Sequence, residues 1–142
     1  MSHKPVLLIV GPPETGKTRL ANWMASALPE QSVLRLSGRA PINTKGFFGL
    51  NEYTRLVVVD DVSPFSSISD LIRMLTGPEV IAHRQGKNNV VITPPKVIIT
   101  AIEPPVLESS LWKWCEIVHL PGPIFAKEGP KSEQLGWEGG EG

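Results

Sequence analysis

The chain has 142 residues, and its 14 basic and 14 acidic side chains balance to a formal net charge of zero. At roughly 100–200 residues per domain this is one domain, large enough for a sheet with helical cover. No apolar run approaches the ~20 residues of a membrane span. The one cysteine, Cys115, rules out an internal disulfide or a cysteine-built zinc site and fits a reducing compartment. The overall basicity of a general nucleic-acid binder is missing, so any such contact has to be local. Charge is also unevenly placed. Residues 1–55 hold seven bases against three acids, and the remainder seven bases against eleven acids.

In chain order, residues 6–10 (VLLIV) form an apolar run without a polar break, as expected of a strand covered on both faces. Residues 18–28 follow as a helix, with Leu20, Trp23, Met24 and Ala27 at helical spacing and Pro29 as the stop. Residues 33–36 and 56–59 are short strands, the second bounded by Asp60 and Asp61. Residues 66–75 read as a helix with Ile68, Leu71, Ile72 and Leu75 on one face, stopped by Gly77-Pro78. Residues 80–83 and 90–92 flank the polar tip 84–89, the pattern of a hairpin. Residues 97–100 and 117–120 complete the strands. Alternating strands and helices predict an α/β fold, a mainly parallel sheet flanked by helices with an inserted β-hairpin. The ordered domain is expected to end near residue 120. Residues 121–142, crowded with Gly, Pro and Glu, are expected to form a disordered tail.

The strongest motif is GPPETGKT: Gly11, Pro12, Pro13, Glu14, Thr15, Gly16, Lys17 and Thr18 fit G-x-x-x-x-G-K-[ST] at every fixed position. A strand delivers the chain to a tight loop whose N–H groups close around phosphate oxygens, and the next helix turns its positive end to the same anion. Lys17 can reach the β- and γ-phosphates, and the Thr18 hydroxyl can complete a Mg²⁺ shell. The alternative is a Gly/Pro-rich turn before a helix, but strand and helix stand where phosphate binding needs them. The second element is LVVVDD, residues 56–61. A buried strand exposes its acids at the carboxyl edge, where α/β sheets bind ligands. Asp60 is expected to hold Mg²⁺, directly or through water, and Asp61 to orient the attacking water and take its proton. Taken alone, two such acids are also an ordinary turn signal. Arg84 and Lys87 lie on the hairpin tip RQGKNN, where they fit either the phosphates of a single strand or a solvated turn.

Together, GPPETGKT, LVVVDD, HRQGKNN and PPKVIITAI resemble, in order and spacing, the superfamily 3 helicases of small DNA and RNA viruses. These are P-loop ATPase modules of circovirus-like, parvovirus-like and papillomavirus replication proteins, and the resemblance covers about residues 5–120. It implies MgATP hydrolysis coupled to movement along single-stranded DNA or RNA. It also implies self-association into a ring such as a hexamer, with Lys17, Asp60 and Asp61 catalytic and Thr18 and Asp60 on the metal. Lys87 falls on the family's hairpin lysine, and Arg84 lies in its nucleic-acid-contacting hairpin. An intracellular setting follows, the host nucleus for a viral protein and otherwise the cytoplasm, with no membrane partner.

The sequence also departs from the family. Ile102 stands where the family's sensor asparagine would be, and Thr100 or Glu103 replaces that asparagine only if the register slips. No arginine follows Arg84 to act as a finger into a neighbouring site, and Lys113 lacks the planar fork. Only residues 1–5 precede the first strand, and a separate nuclease or origin-binding domain is one partner the resemblance allows. Two alternatives therefore stay open: a hydrolysis-impaired nucleotide-binding regulator, and a small-molecule P-loop kinase, which wants an arginine-rich lid. Trp23, Trp112 and Trp114 are expected in packing rather than as base-stacking platforms. His3, His83 and His119 lack ligand spacing, and Cys115 reads as a small buried hydrophobe.

Overall fold

The computed structural model describes residues 4–39, 49–63, 68–82 and 88–121. In chain order its elements are β1 (Val6–Val10), α1 (Lys17–Ala25), β2 (Val33–Ser37), β3 (Leu56–Val62), α2 (Ser69–Leu75), β4 (Val80–Ala82), β5 (Val90–Ile92), β6 (Lys96–Ala101) and β7 (Cys115–His119). Short 3-10 turns at Glu30–Ser32 and Ser109–Trp114 lead into β2 and β7. The expected α/β architecture is present. Five strands, ordered β2-β3-β6-β1-β7, pair in parallel, so their carboxyl ends share one edge.

Alternation along the strands explains the two layers of core. Val6, Leu8 and Val10 of β1, Val57 and Val59 of β3, and Val97 and Ile99 of β6 pack with α2 and the hairpin strands on one face. Ile9, Leu56, Val58 and Ile98 face the other way, against Ala21 and Ala25 of α1. A strand buried on both faces has no polar position to spare, hence the unbroken VLLIV.

The α1 helix corrects the sequence expectation. Its buried positions are Ala21 and Ala25, flanked by partly buried Leu20, Met24 and Leu28. Trp23 lies two residues, about 200°, from Ala21 and is 72% exposed rather than packed. Small alanines let the helix sit close to the sheet, and they give a weaker periodic signal than the tryptophan they displace. Trp112 does pack against the core, whereas Trp114 is partly exposed, with the Lys113 ammonium 5.1 Å from its ring centroid. Cys115 is buried, and that burial pushes its thiol pKa up.

Asp60 and Asp61 do not end their strand, which continues to Val62. Val59 pairs with Ile99 and Val62 with Ala101, so three steps on β3 match two on β6 across a bulge. The extra residue returns Val62 to the face used by Val59, despite an odd separation. Asp61 takes up the bulge with a left-handed φ of 67°.

The hairpin expectation holds for its strands. The β4 and β5 strands pair antiparallel, Ile81 against Val91, as a separate two-stranded sheet. The tip with His83, Arg84 and Lys87 lies outside the described residues, as do His3, residues 66 and 67 of the expected second helix and the tail from residue 122. Among the described residues, no helix is long and apolar enough to cross a membrane.

Candidate nucleotide site

The GPPETGKT loop leaves β1 at the shared carboxyl edge. Its entry is fixed by the Gly11 N–H, which donates to the Ala101 carbonyl at 3.1 Å, while the Leu120 N–H donates to the Val10 carbonyl at 2.8 Å. Inside the loop, the Thr15 hydroxyl donates to the Pro12 carbonyl at 2.9 Å. Glu14 and Gly16 are left-handed, at φ of 65° and 90°. Left-handed residues set among right-handed ones are how backbone N–H nests for anions are built, and at Gly16 the absence of a Cβ makes that conformation free of strain. Gly16 also caps α1 without a side-chain bond, and no acid occupies the first helical turn. The N–H groups there are open to an anion.

Lys17 folds back over the loop, its Nζ donating to the carbonyls of Gly11 at 2.7 Å and Pro12 at 2.8 Å. Burial pushes its ammonium below the ordinary lysine value, and the carboxylates of Asp61 and Asp60 pull it part of the way back. Both acids therefore act on the same small volume as the lysine.

Thr18 and Asp60, 42 positions apart, meet directly: the Thr18 hydroxyl donates to Asp60 Oδ1 at 2.9 Å. The same Oδ1 accepts from the Thr100 hydroxyl at 2.6 Å, and the Thr100 oxygen accepts from the Asp61 N–H at 2.8 Å. Thr100, 1% exposed, thus ties both acids to β6. On the other side the Gly38 N–H donates to the Asp60 carbonyl at 2.7 Å. A Cβ at Gly38 would stand 2.6 Å from the Val62 Cα, so only glycine lets the end of β2 lie on the bulge. The next residue, Arg39, pairs through Nε with Asp61 Oδ2. Beside the acids lies a cavity of about 630 Å³, lined among others by Thr18, Asn22, Arg35, Ser37, Asp60 and Asp61.

The Thr18 hydroxyl and the Asp60 carboxylate are hard oxygen donors. Mg²⁺ typically takes one or two protein oxygens, with substrate phosphates and waters for the rest. The donor set fits that ion. Among the described residues, no group of three or more His, Cys, Asp or Glu side chains offers a competing centre.

The structure thus brings residues 11–18 together with Asp60 and Asp61. Ile102 directly follows β6 and is 43% exposed, and its aliphatic side chain has no hydrogen bond to give. Thr100 reaches Asp60 in the unslipped register, opposite the bulge. Its contact was missed from sequence, although a hydroxyl inside the apolar run KVIITA is a signal, because a buried hydroxyl needs a partner. Gly38 and Arg39 gave no comparable signal.

A family model described as parvovirus non-structural protein NS1 matches residues 1–103. No curated protein sequence matches. Among solved structures, the A-form apo NrS-1 C-terminal region is similar over 92% of this chain and 32% of that chain, at 16% identity and a TM-score of 0.66. JCV helicase, solved with a thiazolopyridine-containing acetamide bound, is similar over 84% of this chain and 36% of that one, at 19% identity and a TM-score of 0.60. NtrX from Brucella abortus, solved in complex with ADP, is similar over 84% and 33%, at 14% identity and a TM-score of 0.55. At these identities the likeness is one of fold, and this chain spans about a third of the length of each solved chain.

Proposed function

The chain belongs to the parvovirus non-structural protein NS1 family and carries its superfamily 3 helicase domain, and on that premise we propose that residues 1–120 bind and hydrolyse MgATP to move along single-stranded DNA or RNA. The loop N–H groups and Lys17 bind the β- and γ-phosphates. Thr18 and Asp60 would hold Mg²⁺, which when bound would supply charge neutralisation on the phosphate oxygens. Asp61 orients the attacking water in line and accepts its proton. Arg84 and Lys87, on the hairpin tip, contact the backbone of the strand, and subunits work as a ring.

The observation that carries the proposal is the 2.9 Å contact between Thr18 and Asp60, which joins the two motifs at one carboxyl edge. Neither motif needs the other for folding a turn. The test is phosphate release from ATP, with and without Mg²⁺ and with single-stranded DNA or RNA. Turnover that requires Mg²⁺ and rises with a single strand is expected. No turnover under any condition, with tight nucleotide binding retained, leaves the hydrolysis-impaired regulator. Ile102 favours that second reading, since the side chain directly after β6 has no hydrogen bond to offer a γ-phosphate.

A further inference from the structure

The ion pair between Arg39 and Asp61 differs from an ordinary surface pair in how it is held. Exposed pairs are usually worth little, because two long side chains must be fixed for a small Coulomb gain. Here the backbone fixes the partners instead. Ser37 pairs with Asp60 in the sheet register, the Gly38 N–H donates to the Asp60 carbonyl, and the missing Cβ at Gly38 allows contact with Val62. The Arg39 N–H also donates to the Ser37 hydroxyl at 3.2 Å, which tightens the turn that launches the arginine. A guanidinium is thereby anchored beside the carboxylate assigned to the attacking water, one residue from the metal-binding Asp60.

The side chain itself is free to leave, being 75% exposed. Arg35, on the same cavity, is already engaged by Asn22 at 2.7 Å and by Glu30 at 3.4 Å. Lys17 is held by its own loop. A terminal phosphate bound by the loop beside Thr18 and Asp60 would bring more negative charge than one carboxylate, with oxygens that suit the guanidinium fork.

Building on the nucleotide reading above, we infer that Arg39 is a γ-phosphate sensor acting within the same subunit: it occupies Asp61 in the empty site and exchanges that carboxylate for the terminal phosphate of a bound triphosphate. The exchange makes the site prefer triphosphate to diphosphate. It also frees Asp61 for water only when there is a γ-phosphate to attack.

The test is calorimetric binding of a non-hydrolysable ATP analogue and of ADP, both with Mg²⁺, to the full chain and to Arg39→Ala, Arg39→Lys and Asp61→Asn. Loss of a charge-assisted contact predicts that Arg39→Ala weakens the triphosphate by about 10- to 100-fold and leaves ADP nearly unchanged. Arg39→Lys should recover part of the difference. Asp61→Asn, which releases the arginine, should tighten the triphosphate relative to ADP, and that gain should shrink when combined with Arg39→Ala. Equal losses for both nucleotides, or no change for either, overturn the inference while the nucleotide site stands. A wild-type chain that binds neither nucleotide overturns both.

Discussion

Thr100→Val tests how Asp60 and Asp61 are held. Valine matches threonine in shape, so no cavity forms, and the site is 1% exposed. Two bonds disappear: the hydroxyl's donation to Asp60 at 2.6 Å and its acceptance from the Asp61 N–H at 2.8 Å. A hydrogen bond to a charged acceptor is worth about 1.5–3 kcal/mol, and a buried N–H left without a partner costs about 1–3 kcal/mol. Both acids are only partly buried, so water recovers a share. The expected net loss is about 2–3 kcal/mol, or a Tm lowered by roughly 6–12 °C for a domain of this size. Urea unfolding measures it, with Thr100→Ser as the control that keeps the hydroxyl and loses one methyl, about 1 kcal/mol. Where Thr100→Val remains folded, Mg²⁺-dependent nucleotide affinity should still fall, because Asp60 has lost a positioning donor. A valine variant as stable as the parent, or a serine variant worse than the valine one, refutes the tether.

Lys17→Ala should abolish nucleotide binding, read by fluorescence titration with a labelled ATP. The same residue gives a pH signature. Its folded-state pKa is lowered, chiefly by burial, so between that value and the ordinary lysine value the unfolded chain binds more protons and stability rises with pH. Urea unfolding of the parent and Lys17→Met at rising pH up to the ordinary lysine value, roughly 10.4, should show the parent gaining on the variant; a constant difference contradicts it. Gly38→Ala puts a Cβ 2.6 Å from the Val62 Cα and should destabilise by about 1–3 kcal/mol in urea. Arg84→Ala with Lys87→Ala should weaken single-strand binding and flatten its dependence on salt concentration, and an unchanged slope returns that tip to a solvated turn.

The strand, loop and helix over residues 6–25 were legible because each local requirement leaves a mark: an apolar run for a doubly covered strand, glycines for the loop and helical spacing after it. The mainly parallel sheet was legible in the alternation of strands and helices, whereas the strand order β2-β3-β6-β1-β7 was not. What escaped was geometry that composition does not encode. Asp60 and Asp61 read as the end of a strand because acids usually stop a buried run, yet the bulge lets β3 pass through them to Val62. The face of α1 was misread at Trp23, since Ala21 and Ala25 earn their places by being small. Gly38 and Arg39 matter only because β2 ends beside that bulge, a long-range fact invisible in their neighbours.

The bulge also explains how the sheet holds the two acids from both sides. On one side β6 reaches Asp60 and Asp61 through the Thr100 hydroxyl, and on the other the end of β2 reaches Asp60 through the Gly38 N–H. An acid at a plain strand end would have one neighbour at most and would swing with its loop. A bulged strand between two neighbours presents the carboxylates outward while the sheet on both sides fixes the backbone beneath them. Of the two, Asp60 is tied through its side chain to α1 and β6, whereas the Asp61 side chain is met by an arginine that can move. On the proposed reading, rigidity falls on the carboxylate assigned to the metal, and freedom on the one inferred to exchange partners when nucleotide binds.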